Sequence, residues 1–106
     1  MPVWERSQVQ GGPEEASLRD ELIAELRNQK ETGEPVIIIE KTHRAMTRLY
    51  VVWTKWNNID QRVRSGIIRD AFTEVRGATA ADNVTIAMGL APEEADRLNI
   101  KWRVSS

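Results

Sequence analysis

The sequence predicts an α+β fold, a two-layer sandwich in which helices lie mainly on one face of a small mixed sheet of three to four strands. An uninterrupted β-branched run at residues 36–39 is typical of a strand covered on both faces. Residues 48–77 follow the pattern of a long strand, a turn and a long helix. Together they predict the order α-β-β-α-β-α, with a further edge strand at residues 100–104.

Length and composition predict one domain. The chain has 106 residues, so we expect a single α+β domain at 13–106, preceded by a flexible N-terminal tail at 1–12. The absence of cysteine excludes disulfides and thiolate sites. The sequence lacks an apolar run of membrane-spanning length and a signal-peptide pattern, so no membrane association is predicted and the cytoplasm is the expected compartment.

The first helix is predicted at residues 13–30. Pro13 suits a first helical position, and leucines recur every four residues at Leu18, Leu22 and Leu26. The predicted outer face is acidic and consists of Asp20, Glu21 and Glu25.

The second strand is predicted at residues 48–56 and pairs with the first through a wide hairpin. Alternation places Leu49, Val51 and Trp53 on one face. The other face carries Tyr50, Val52 and Trp56, so both faces are apolar over most of the strand. One face must meet the helices, and the other is expected either to meet a second chain or to form an aromatic platform for bases.

The long helix is predicted at residues 59–76, with Asn58 as the cap, Gln61 in the capping-box position and Gly77 just past the end. Its apolar side chains span roughly 220° of the helical wheel, more than one sheet covers. This width indicates burial on two sides, against the sheet and against another helix or subunit.

Residues 84–88 are predicted to form a third strand, parallel to the second because the long helix connects them. A short helix then begins at Pro92. Its two acidic residues argue against a phosphate site at this junction. The predicted core comprises Leu22, Leu26, Ile37, Ile39, Val51, Trp53, Ile67, Ala71, Val75 and Ile86.

Charge is unevenly distributed along the chain. Residues 1–40 hold four basic and nine acidic residues, a net of −5, whereas residues 41–77 hold eight basic and three acidic residues, a net of +5. The favoured interpretation is internal compensation. One alternative is a polyanion-binding surface made of Lys41, Arg44, Arg48, Lys55, Arg62, Arg69 and Arg76. The other is self-association through complementary charges.

No motif in the sequence indicates a particular chemistry, so no catalytic, metal-binding or cofactor-binding residue is predicted. The leading hypothesis is a non-catalytic interaction domain that forms a homodimer through residues 48–77. The predicted interface residues are Tyr50, Val52, Trp56, Ile68, Phe72 and Trp102.

Two further hypotheses stay open. One is binding of RNA or single-stranded DNA through the basic segment 41–77. The other is an enzyme or small-ligand binder with a site at a subunit interface, in which His43 or Arg64 contacts the ligand.

Overall fold

The computed structural model describes residues 13–42 and 44–102. The predicted α+β class and the order of the six predicted elements are both confirmed. The elements are α1 Pro13–Arg27, β1 Val36–Lys41, β2 Thr47–Val52, a 3₁₀ turn Thr54–Trp56, α2 Gln61–Arg76, α3 Ala78–Asp82, β3 Val84–Leu90 and α4 Pro92–Arg97. None of the described helices combines the length and the apolar character that crossing a bilayer requires.

The sheet has the strand order β1-β2-β3. β1 runs antiparallel to β2, which confirms the predicted hairpin, and Ile38 lies opposite Tyr50. β3 runs parallel to β2, as the helical connection requires, and Met88 also lies beside Tyr50. Tyr50 therefore sits at the centre of one face of the sheet.

The main core lies between the sheet and the pair of helices α1 and α2. The face of the sheet toward these helices, here called the helix face, contributes Leu49, Val51 and Ala87, all buried. The predicted core residues Leu22, Leu26, Val51, Trp53, Ile67 and Ala71 are buried, while Ile37, Ile39 and Val75 are partly buried against this core. Ile86 is only partly buried, and its register opposite Arg48 places it on the other face.

The opposite face of the sheet, here called the second face, is covered at one end by the chain's own C-terminal part. Val52, Leu90 and Ala95 are buried there, and Ile100 and Trp102 pack against them. The described residues after α4 form no strand, so the predicted edge strand is absent through residue 102, and residues 103–104 lie outside the described part.

The second strand is shorter than predicted because the chain turns inward after Val52. Trp53 and Trp56 meet edge to face, with 5.3 Å between their ring centroids. The indole of Trp56 is completely buried and donates to the Val51 carbonyl at 2.9 Å. Strict alternation would have placed Trp56 on the second face, but the 3₁₀ turn carries it into the main core.

Three local predictions also need correction. Asn58 does not cap α2; it lies in a left-handed turn with φ of 68°, and Asp60 precedes the helix. The small residues at 78–82 predict a loop after Gly77, but they form α3. Glu25, expected on the exposed acidic face, is 7% exposed and accepts hydrogen bonds from the backbone and side chain of Lys30.

Candidate interaction surface

The outer edge of β3 is covered by side chains of α2. The Gln61 amide donates to the Gly89 carbonyl and accepts from the Gly89 N–H, both at 2.9 Å. One turn later, the Ser65 hydroxyl donates to the Ala87 carbonyl at 2.6 Å. Arg69, another turn on, donates to the Val84 carbonyl at 3.4 Å. Residues spaced by four lie on one side of a helix, so α2 places polar side chains along β3 and satisfies three of its carbonyls and one N–H.

Gly89 allows α2 and the 3₁₀ turn to approach β3 closely. A Cβ atom at this position would lie 2.8 Å from the Trp56 indole and 2.9 Å from the Arg64 Cβ. Only glycine fits here without displacement of a buried ring.

Arg64 is a buried structural connector, with 8% of its surface exposed. Its guanidinium donates to the Ile59 carbonyl at 2.7 Å, to the Gly89 carbonyl at 3.0 Å and to the Glu94 carboxylate at 2.8 Å. The same carboxylate accepts from the Ala91 N–H at 2.7 Å. This arrangement fastens α4 to α2 and β3.

The environment of Glu94 favours its charged form. The hydrogen bond from the Ala91 N–H, together with the bond from Arg64, holds the pKa of this carboxyl below its ordinary value. Because Glu94 occupies the start of α4 and pairs with Arg64, its carboxylate would repel an anionic ligand at this junction.

Only one of the two predicted ligand-contacting residues lies in the part of the chain that the structure describes. Arg64 is engaged by three groups of the protein itself. His43 lies outside the described residues.

The outer edge of β1 contrasts with that of β3. Thr42 donates to the Met46 carbonyl across the hairpin at 2.9 Å, so the even-numbered residues of β1 direct their backbone groups toward β2. Ile37, Ile39 and Lys41 therefore direct their N–H and C=O groups to the open side. No hydrogen bond from residues 13–42 or 44–102 reaches these groups. Within the described residues, β1 is thus an unprotected edge.

The second face is only partly covered beside this edge. Ile38, Tyr50 and Met88 lie in one row across the three strands, and each is partly buried. At the end away from α4, Arg48 and Glu40 form a weak exposed pair at 4.0 Å. An apolar row with a charged rim is typical of a protein-binding surface.

The predicted interface residues fall into two groups. Val52, Trp56, Ile68 and Phe72 are each at most 4% exposed, because the chain's own cores enclose them. Tyr50 and Trp102 are partly buried on the second face and keep accessible surface. The wide apolar arc of α2 is therefore explained by burial against both the sheet and α1.

The predicted polyanion-binding residues are all exposed but do not form one uninterrupted basic surface. Lys55 pairs with Glu21 of α1 at 3.0 Å, and Arg48 pairs with Glu40. Arg76 lies over the Phe72 ring, with its guanidinium carbon 5.7 Å from the centroid. These contacts agree with internal compensation of charge, and polyanion binding stays a prediction.

Two grooves flank α1. One, of about 390 Å³, lies at the start of β1 between the 29–35 loop and Trp102 and contains Glu31 and Glu34. The other, of about 720 Å³, is an open furrow between α1 and α2 with charges of both signs. The described residues hold no group of three or more histidine, aspartate or glutamate side chains suited to a metal ion.

Sequence reasoning missed the residues that organise β3. The sequence predicts Gln61 in a capping box and Arg69 in a polyanion-binding surface, and it predicts no role for Ser65. A local signal did exist, because Gln61, Ser65 and Arg69 are spaced by four and Gly89 interrupts an apolar strand. The pairing of these two signals depends on a contact between positions 28 residues apart.

Compared with known proteins, the chain matches no family model, no curated protein and no solved structure. Its function must therefore be argued from its own surface.

Proposed function

We propose that this protein is a small non-catalytic interaction domain that associates with itself. The observation that carries the proposal is the surface formed by the open edge of β1 and the adjoining row Ile38, Tyr50 and Met88. The rest of the sheet is already occupied, by α1 and α2 on the helix face and by α4 with Ile100 and Trp102 at one end of the second face.

The proposal moves the interface from the centre of residues 48–77 to one side of the sheet. Four residues expected at the interface are buried by the chain itself, whereas Tyr50 and Trp102 retain exposure. Partly exposed aromatic and methionine side chains are enriched at protein interfaces, which supports a protein partner at this surface. The cytoplasm remains the expected compartment.

Sedimentation equilibrium at micromolar concentration tests the proposal directly. We expect the mass of two chains, and we expect Tyr50→Asp to shift the population toward single chains because it places a charge in the apolar row. Thr85→Asp serves as the control, since Thr85 is an exposed residue of β3. A wild-type chain that stays monomeric throughout this range contradicts the proposed function.

A further inference from the structure

We propose that the open edge of β1 pairs antiparallel with the β1 edge of a second copy, which joins the two sheets into one. This inference rests on the proposed self-association and specifies how it occurs. The occupant of the edge is a second copy of this chain, held by main-chain hydrogen bonds along β1 in addition to the adjoining apolar row of the second face.

The backbone of β1 is ready for such pairing. Ile37, Ile39 and Lys41 present their N–H and C=O groups outward, and no described residue satisfies them. Residues 36–39 are β-branched and suit an extended strand. The edge lacks a proline or a bulge among residues 36–41, and its only lysine is the terminal Lys41. The devices that usually protect an edge are therefore nearly absent.

The strand limits the registers that a two-fold axis allows. An axis at Glu40 would place two like charges opposite each other. An axis at Ile37 would bring Pro35, which has no N–H, into the ladder. An axis at Ile39 avoids both, and an axis at Ile38 places Pro35 only at the end of the ladder, opposite Lys41. The two copies therefore cross near the centre of the strand.

Charge supports a second copy as the occupant. The loop before β1 carries Glu31 and Glu34, whereas β1 ends at Lys41 and the loop after it carries Arg44. None of these four residues forms an ion pair within residues 13–42 and 44–102. Antiparallel pairing places the acidic loop of each copy beside the basic loop of the other, and the symmetry makes this contact twice.

A proline substitution separates backbone pairing from side-chain packing. Ile39→Pro removes an outward N–H from each copy but no hydrogen bond within the chain, and Ile39→Ala loses side-chain packing while keeping the N–H. We expect the dissociation constant of Ile39→Pro to rise about tenfold or more above that of Ile39→Ala, because two hydrogen bonds are lost per pair. Sedimentation measures the constants, and circular dichroism checks the fold.

Single cysteines locate the contact, since the chain has none of its own. We expect Ile38→Cys or Ile39→Cys to form a disulfide-linked dimer on mild oxidation, because facing strand positions lie within disulfide reach. Thr79→Cys, exposed on α3, controls for random collision and should stay monomeric on a non-reducing gel.

The outcomes distinguish the two proposals. A dimeric wild type in which neither strand cysteine cross-links, and in which the proline and alanine variants dissociate equally, overturns edge pairing and leaves self-association standing. A wild type that is monomeric overturns both. If the proline variant does not fold, the cysteine pair decides alone.

Discussion

Gly89 is the residue at which three elements meet. Its two backbone polar groups bond to Gln61, its carbonyl also accepts from Arg64, and its missing side chain leaves room for the Trp56 indole. One position therefore controls the approach of α2, the 3₁₀ turn and β3.

We predict that Gly89→Ala lowers the free energy of unfolding by about 1–3 kcal/mol, because the new methyl group overlaps the fully buried indole. Gly66 offers a matched control, since it lies in the middle of α2 with no atom within 4 Å of an added Cβ. Gly66→Ala should raise the stability by about 0.5–1 kcal/mol. Urea unfolding of both variants measures the difference, and equal effects of the two substitutions would contradict the close approach.

Glu94 gives the protein a pH-dependent element of stability. Its pKa is held below the ordinary value of 4.5, first by the Ala91 N–H and then by Arg64, so the unfolded chain binds the proton more readily than the folded one. The stabilisation is complete above the ordinary pKa and disappears as the pH falls through the lower, folded pKa.

We expect Glu94→Gln to lower the free energy of unfolding by about 1 kcal/mol at neutral pH, a modest value because the side chain is partly exposed. The difference in the free energy of unfolding between the wild type and this variant should narrow as acid protonates Glu94. Urea titrations between neutral pH and about pH 3 measure it. Glu93→Gln, at an exposed neighbouring position, controls for the loss of one negative charge. A gap that stays constant with pH would contradict the role of the carboxylate.

At the scale of elements, the C-terminal part acts as a cover for the second face. α4 is fastened through Glu94, the Ile100 N–H donates to the Ala95 carbonyl, and the Trp102 indole donates to Asp96. Ile100 and Trp102 then pack against the buried cluster of Val52, Leu90 and Ala95. This segment determines how much apolar sheet surface remains exposed.

Removing the cover should expose the apolar surface beneath it. We predict that the double variant Ile100→Ala, Trp102→Ala loses about 1–3 kcal/mol of stability and binds more of a hydrophobic fluorescent dye. Leu98→Ala is the control, because Leu98 is 54% exposed and its truncation should change stability by less than about 0.5 kcal/mol. Dye binding that matches the wild type would argue against a covering role for Ile100 and Trp102.

For the whole molecule, local patterns were sufficient to predict the architecture. The β-branched run, the leucines spaced by four and the long periodic helix specify which segments are strands and helices, and the helical connection dictates the parallel third strand. These signals depend on neighbours in sequence, so one chain displays them plainly.

What the sequence did not reveal depends on distant partners. Strand alternation cannot show that Trp56 turns inward, because the space for its indole is provided by Gly89 on a different strand. Likewise, the apolar arc of α2 is wider than the sheet alone can cover, and the sequence could not show that α1 covers the remainder. The sequence places the candidate surface on the strand that has two apolar faces. Its location at the edge of β1 depends on the strand register and on the covering of β3 by α2.

The side chains that cover β3 also set a limit on the number of copies. Each described sheet offers one uncovered edge, and pairing β1 with β1 uses that edge in both partners at once. Gln61 and Ser65 already occupy the opposite side. Edge pairing of this kind therefore terminates at a closed, symmetric pair, whereas a sheet open on both sides would extend copy by copy into a filament.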